Sequence, residues 1–131
     1  MNDHNVAAVI LAAGSGTRMN ISTTKQQLLV AGKTVLRRSL EAFESCLDIT
    51  SITLVIKDGE QDFAKEQSIG ISKLNRIVIG GKTRAESARL GFYEIPEAAE
   101  FVAIHDAARC LVTPEDISAV ISDAAAYGAA T

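Results

Sequence analysis

Apolar residues along this chain fall into short unbroken runs, separated by stretches with helical spacing. Residues 6–11 (VAAVIL) are continuously apolar, the pattern of a strand covered on both faces. Residues 51–56 (SITLVI) are β-branched and strand-like, ended by Asp58-Gly59. Residues 76–79 supply another short strand before Gly80-Gly81, and 101–104 a fourth. Between these runs, residues 35–45 (VLRRSLEAFES) place Val35, Leu36, Leu40 and Phe43 near one face of a helix. Residues 84–95 also predict a helix, halted by Pro96. Residues 20–34 are mostly polar around a small apolar island at 28–30, and are expected to form a long functional loop.

Thr113-Pro114-Glu115-Asp116 is a strong helix start. It combines a hydroxyl N-cap, proline at the first helical position and carboxylates near the positive end of the helix dipole. The helix runs through Ile117, Val120, Ile121 and Ala124 to a C-cap at Gly128. Strand and helix alternate without repeats or low-complexity linkers, which predicts an α/β fold. The expected architecture is an open, mostly parallel Rossmann-like sheet with helices on both faces. A helix such as the last one ordinarily packs back so that a further strand can join the sheet. Residues 1–131 are therefore expected to form a single, incomplete domain that stops short after the helix ending near Gly128.

Composition narrows the function classes. The length of 131 residues suits one domain with a real core. A net charge of −3 gives no basic surplus for nucleic acid, and the absence of Trp argues against stacking platforms for single strands. The apolar runs are far shorter than a membrane span, and no signal peptide is recognisable, so a cytoplasmic protein is expected. Cys46 and Cys110 lie far apart and fit neither a disulfide framework nor a zinc pattern.

The chemistry concentrates at strand ends. LAAGSGTRM, residues 11–19, leaves the first strand with Gly14 and Gly16, which let the backbone turn sharply and approach a ligand. Arg18 follows, and its planar fork of donors favours a phosphate partner. A dinucleotide fingerprint would need glycine where Met19 stands, and no acidic residue follows about twenty positions on to grip a ribose. Gly32-Lys33-Thr34 and Gly81-Lys82-Thr83 resemble the tail of a P-loop, but Gln27 and Arg76 occupy the places of its leading glycine. Three segments survive: residues 14–25 with Arg18 and Lys25, residues 80–87 (GGKTRAES) with Arg84 and Ser87, and residues 105–109 (HDAAR). In an open α/β sheet the strand ends face one crevice where ligands bind. Glycine amides, cations and a carboxylate suited to Mg²⁺ are expected to converge there.

LAAGSGTRM, then KQ at 25–26, GGKTRAES and HDAAR, in this order, resemble the 2-C-methyl-D-erythritol 4-phosphate cytidylyltransferases of non-mevalonate isoprenoid biosynthesis. The resemblance covers essentially the whole chain and about the first half or more of such an enzyme. It implies transfer of CMP from CTP to 2-C-methyl-D-erythritol 4-phosphate with release of pyrophosphate. It implies Arg18 and Lys25 as catalytic cations, and Ala12, Ala13, Gly14 and Gly16 as backbone against the nucleotide. By the same resemblance Gly81, Lys82 and Ser87 read cytosine, and Arg84 anchors this loop or approaches the nucleotide. Asp106 would serve Mg²⁺ and the ribose side, Arg109 would approach the sugar-alcohol phosphate, and His105 would hydrogen-bond within the crevice wall. Thr24 and Cys110 each stand where the family usually has proline.

The resemblance also implies a homodimer for the complete protein, and a later segment with further ligands that has no counterpart here. The 131 residues alone are thus expected to bind CTP weakly and to turn over poorly or not at all. Two alternatives stand beside this expectation: a polyol (ribitol) 5-phosphate cytidylyltransferase, or a non-catalytic CTP-binding fragment. The Ala-Ala-Gly opening at 12–14 leans to the methylerythritol enzyme.

Overall fold

A computed structural model describes residues 4–13, 29–30 and 32–130. β1 (Val6–Ala12), β4 (Ser51–Ile56), β5 (Leu74–Ile79) and β6 (Phe101–Asp106) form one sheet in the order β5-β4-β1-β6. All three pairings are parallel. β2 (Leu29–Val30) and β3 (Lys33–Thr34) form a small antiparallel hairpin within the stretch expected to be loop, turning beside Gly32 at φ 86°. The helices are α1 (Val35–Ser45), α2 (Gln61–Gln67), α3 (Arg84–Tyr93) and α4 (Pro114–Tyr127).

The central strands are apolar throughout because both their faces are covered. Every residue of β1 and of β4 is buried. One face carries Val6, Ala8, Ile10 and Ala12 of β1 with Ile52, Leu54 and Ile56 of β4. Against them pack Leu36, Leu40 and Phe43 of α1, Ala64 of α2, and Ile117 and Ile121 of α4. The other face carries Val9, Leu11 and Val55, with Ala88 of α3 and Ile95 packed on them. Helices therefore lie on both faces, as the alternating pattern predicts.

Capping explains where the helices begin and end. Thr34 Oγ1 accepts the Arg37 amide at the start of α1. At α4 the Thr113 hydroxyl accepts the Asp116 amide while the Asp116 carboxylate accepts the Thr113 amide, a reciprocal pair that satisfies two orphan donors. Gly128 closes that helix at φ 91°, a left-handed conformation that glycine adopts without a Cβ clash.

Four boundaries differ from expectation. β1 continues to Ala12, which pairs with Ile56, and β6 continues to Asp106, which pairs with Leu11, so the polar His105 and Asp106 belong to a strand. β5 begins at Leu74, its polar Asn75 and Arg76 being tolerated at the exposed edge of the sheet. α3 ends at Tyr93, since the residue before Pro96 is disfavoured in helical backbone. α2 was not legible at all: it is short and buries only Ala64, so it shows no apolar stripe.

Candidate active site

The chain runs from β1 to β4 to β5 in one direction across the sheet, then returns to lay β6 on the other side of β1. The strand order thus reverses between β1 and β6, and in such sheets ligands bind outside the carboxyl ends of the strands at that reversal. Ala12 and Ala13 leave β1 there, Asp106 ends β6 there, and the Gly80-Gly81 turn leaves β5 at the same edge.

The turn after β6 is pinned from several sides. The Ala107 amide donates to Leu11 O at 2.9 Å, carrying the ladder past the end of β6. Ser39, buried in α1, donates its hydroxyl to Ala107 O at 2.7 Å. The Arg109 amide closes a turn on Asp106 O at 3.0 Å, and His105 Nε2 lies 3.0 Å from Arg109 O. Since that partner is a carbonyl, the imidazole donates from Nε2. Its ring packs on Phe43 with centroids 5.0 Å apart. Burial pushes the His105 pKa below its ordinary value, against the opposing pull of the Arg109 carbonyl and the Asp106 charge. The family resemblance implies a hydrogen bond from His105 within the crevice wall, and its contact with Arg109 O is such a bond. Arg109 itself is exposed.

The turn after β5 is built on close approach. A Cβ at Gly80 would lie 2.6 Å from Ser87 Oγ, 2.7 Å from Ala13 Cβ and 3.0 Å from Val55 Cγ1, so only glycine lets β1, β4 and α3 meet there. The Gly80 amide donates to Ile56 O at 2.7 Å. Ser87, buried, accepts the Gly81 amide on its hydroxyl at 3.0 Å. The Thr83 hydroxyl caps α3 by accepting the Glu86 amide, and the Glu86 carboxylate lies 3.4 Å from the Lys82 amide. Lys82 is exposed.

Arg84, the first residue of α3, reaches across to Asp106. Its Nε donates to Oδ1 at 3.0 Å and its Nη2 to Oδ2 at 3.5 Å. This ion pair joins the second and third sequence segments directly. Ala12 and Ala13 lie between them at the end of β1. Gly14, Gly16, Arg18 and Lys25 lie outside the described residues.

Three contributors escape sequence reasoning. Ser39 interrupts the apolar stripe of α1, and a polar residue on that stripe is the signal that could have flagged it. Gly80 and Glu86 lie inside a motif whose other members drew attention first. A separate cleft of about 570 Å³ runs along the outer edge of β6, lined by Phe43, Val112, Ile117, Val120 and Ile121. Its lining mixes these apolar side chains with Glu100, His105, Arg109 and Asp116, and so shares His105 and Arg109 with the crevice. Among the described residues no three His, Cys, Asp or Glu side chains cluster as a metal cage, and Cys46 and Cys110 are both free thiols. No helix among the described residues is long and apolar enough to cross a membrane.

A parallel sheet with helices on both faces and a strand-order reversal defines an open, doubly wound α/β domain of the kind that binds nucleotides at the reversal. The fold is similar to the crystal structure of 4-diphosphocytidyl-2C-methyl-D-erythritol synthase from Anaerococcus prevotii, with a TM-score of 0.79 and 29% identity over 92% of this chain and 50% of that one. The model of the 2-C-methyl-D-erythritol 4-phosphate cytidylyltransferase (IspD) family matches residues 6–131, and the chain belongs to that family. Proteins of that name are 41% identical over 129 residues in Pelotomaculum thermopropionicum and 42% identical over 129 residues in Caldanaerobacter subterraneus subsp. tengcongensis. Each comparison covers 96% of this chain, but only 54% and 57% of the respective relative. The chain spans about half the length of the curated relatives it matches.

Proposed function

We propose that this chain supplies the nucleotide-binding part of a cytidylyltransferase joining CTP to 2-C-methyl-D-erythritol 4-phosphate. An oxygen of the sugar-alcohol phosphate attacks the α-phosphorus in line. The bond from that phosphorus to the oxygen bridging to the β-phosphorus breaks, and pyrophosphate leaves with the electron pair. Such a transfer depends on positioning and charge neutralisation rather than on covalent help. The observation that carries this proposal is the Arg84–Asp106 pair, which brings the GGKTRAES and HDAAR segments to one crevice at the strand-order reversal.

In this proposal Ala12, Ala13, Gly14 and Gly16 lay backbone against the nucleotide, and Arg18 and Lys25 neutralise the crowded phosphorus. Gly81 and Lys82 read cytosine through main-chain atoms, with Ser87 holding their turn in shape. Arg109 faces the second substrate's phosphate. Asp106 offers a partly exposed carboxylate, and among the described residues no three His, Cys, Asp or Glu side chains gather around a common point. That donor set fits Mg²⁺, which keeps several waters and takes most of its other ligands from substrate phosphates. Bound there, the ion would neutralise phosphate charge while Asp106 held it. The cytoplasm is the compartment, and a homodimer the assembly, that the same proposal implies.

Calorimetric titration of this chain with CTP, UTP and ATP in Mg²⁺ tests the nucleotide half. Saturable CTP binding, at least about tenfold tighter than UTP, is expected from a site that hydrogen-bonds the cytosine edge. Equal affinity for all three nucleotides would overturn the assignment. Pyrophosphate release with methylerythritol phosphate against ribitol phosphate then distinguishes the second substrate.

A further inference from the structure

The Arg84–Asp106 contact has a geometry that matters for the cation as well as for the loop. Nε and Nη2 of Arg84 face Oδ1 and Oδ2 respectively, so the guanidinium fork engages both carboxylate oxygens. Those lone pairs are the ones a divalent cation would coordinate. A guanidinium in that position also carries a like charge to the ion. Occupation of Asp106 by Arg84 and by a cation are therefore competing states.

The contact is suited to exchange. The two side chains are 62% and 36% exposed, and ion pairs so open to water are weak. Arg84 is the first residue of α3, where the helix dipole disfavours a cation, so an anionic partner is what holds it. A polyphosphate arriving at the crevice offers a stronger partner of the same sign, matched to the same planar fork.

We propose that Arg84 is a positioning residue that covers the Asp106 carboxylate until nucleotide arrives, then transfers to the polyphosphate and releases the carboxylate to the cation. One carboxylate–guanidinium contact is exchanged for a guanidinium–phosphate contact and a carboxylate–cation contact. The free ion is held off, whereas the ion arriving with nucleotide is admitted. This rests on the proposal that Asp106 is the cation ligand.

The test is Mn²⁺ binding to the full chain without nucleotide, followed by electron paramagnetic resonance of the free ion, together with metal-free CTP titration. Arg84→Gln is expected to tighten Mn²⁺ binding about two- to fivefold while weakening metal-free CTP binding, the range expected on losing a partly exposed charged contact. Arg84→Lys is expected to restore most of the exclusion of Mn²⁺. A role limited to shaping the loop would weaken both affinities together, and that result overturns the exchange. If Asp106→Asn weakens Mn²⁺ binding but Arg84→Gln leaves it unchanged, the exchange is wrong and the cation assignment survives. If Asp106→Asn has no effect on Mn²⁺ in either the wild-type or the Arg84→Gln background, the cation assignment falls and the exchange with it.

Discussion

Gly91→Val tests how α3 is seated. A Cβ at Gly91 would lie 2.7 Å from both Val55 Cγ2 and Val9 Cγ1. Carbon atoms in comfortable contact stand roughly 3.5–4.0 Å apart. The helix would have to lift by about 1 Å, or two buried valines would have to leave their rotamers. Overpacking of this kind costs about 1–3 kcal/mol. Replacing glycine in a helix returns only a few tenths, roughly 0.3–0.5 kcal/mol for a β-branched residue. The net loss is about 0.5–2.7 kcal/mol, which for a domain of this size lowers Tm by about 2–11 °C. Differential scanning calorimetry measures it, with Arg89→Ala, exposed on the same helix, as a control expected to change stability by no more than about 0.5 kcal/mol. Because Ser87 and Arg84 ride on α3, CTP affinity is expected to fall as well. An unchanged Tm in Gly91→Val would show that α3 does not press on β1 and β4 as described.

Three further outcomes are expected. Ser39→Ala removes the buried donor to Ala107 O, at a cost of about 1–3 kcal/mol if that carbonyl goes unsatisfied; urea denaturation measures the stability, and a midpoint equal to wild type would refute the role given to this hydroxyl. Thr113→Ala opens the capping box of α4 and is expected to cost about 0.5–2 kcal/mol, read from the thermal midpoint. Stability is also expected to fall on acidification below the ordinary carboxylate range. Hydrogen bonds from Lys33 and Arg37 hold the Glu41 pKa down, and at Glu44 those from Ser72 and Lys73 outweigh the upward push of burial. Groups whose folded pKa is depressed stabilise the protein at higher pH and lose that contribution as pH falls through the folded value. Glu44→Gln is expected to flatten this acid limb in pH-dependent urea melts, and an unaltered slope would count against the assignment.

Much of the fold is written in local pattern. Fully buried strands have no polar face to show, so VAAVIL and SITLVI are visible as uninterrupted runs. The start of α4 is equally visible, because Thr113, Pro114 and Asp116 satisfy the helix end within four residues. α2 left no such trace, since its position depends on one buried Ala64 and on the neighbouring strands. The site divides in the same way. Glycines, cations and the strand-end acid mark themselves by type, and the strand alternation places them at one edge of the sheet. What no linear pattern shows is contact between distant segments. Ser39 meets Ala107 across 68 positions, and Arg84 meets Asp106 across 22.

The two faces of the sheet are unequally cohesive. α1 and α4 cover theirs with long aliphatic and aromatic side chains, whereas α3 buries only Ser87 and Gly91 and rests on Val9, Leu11 and Val55. Local unfolding is easiest where the least apolar surface must be wetted. Amide exchange should therefore reach α3 and the turn it carries before it reaches the Ala107 side of the crevice. A recess with one wall that yields and one that stays put can adjust its width to an incoming nucleotide without loosening the rest of the molecule.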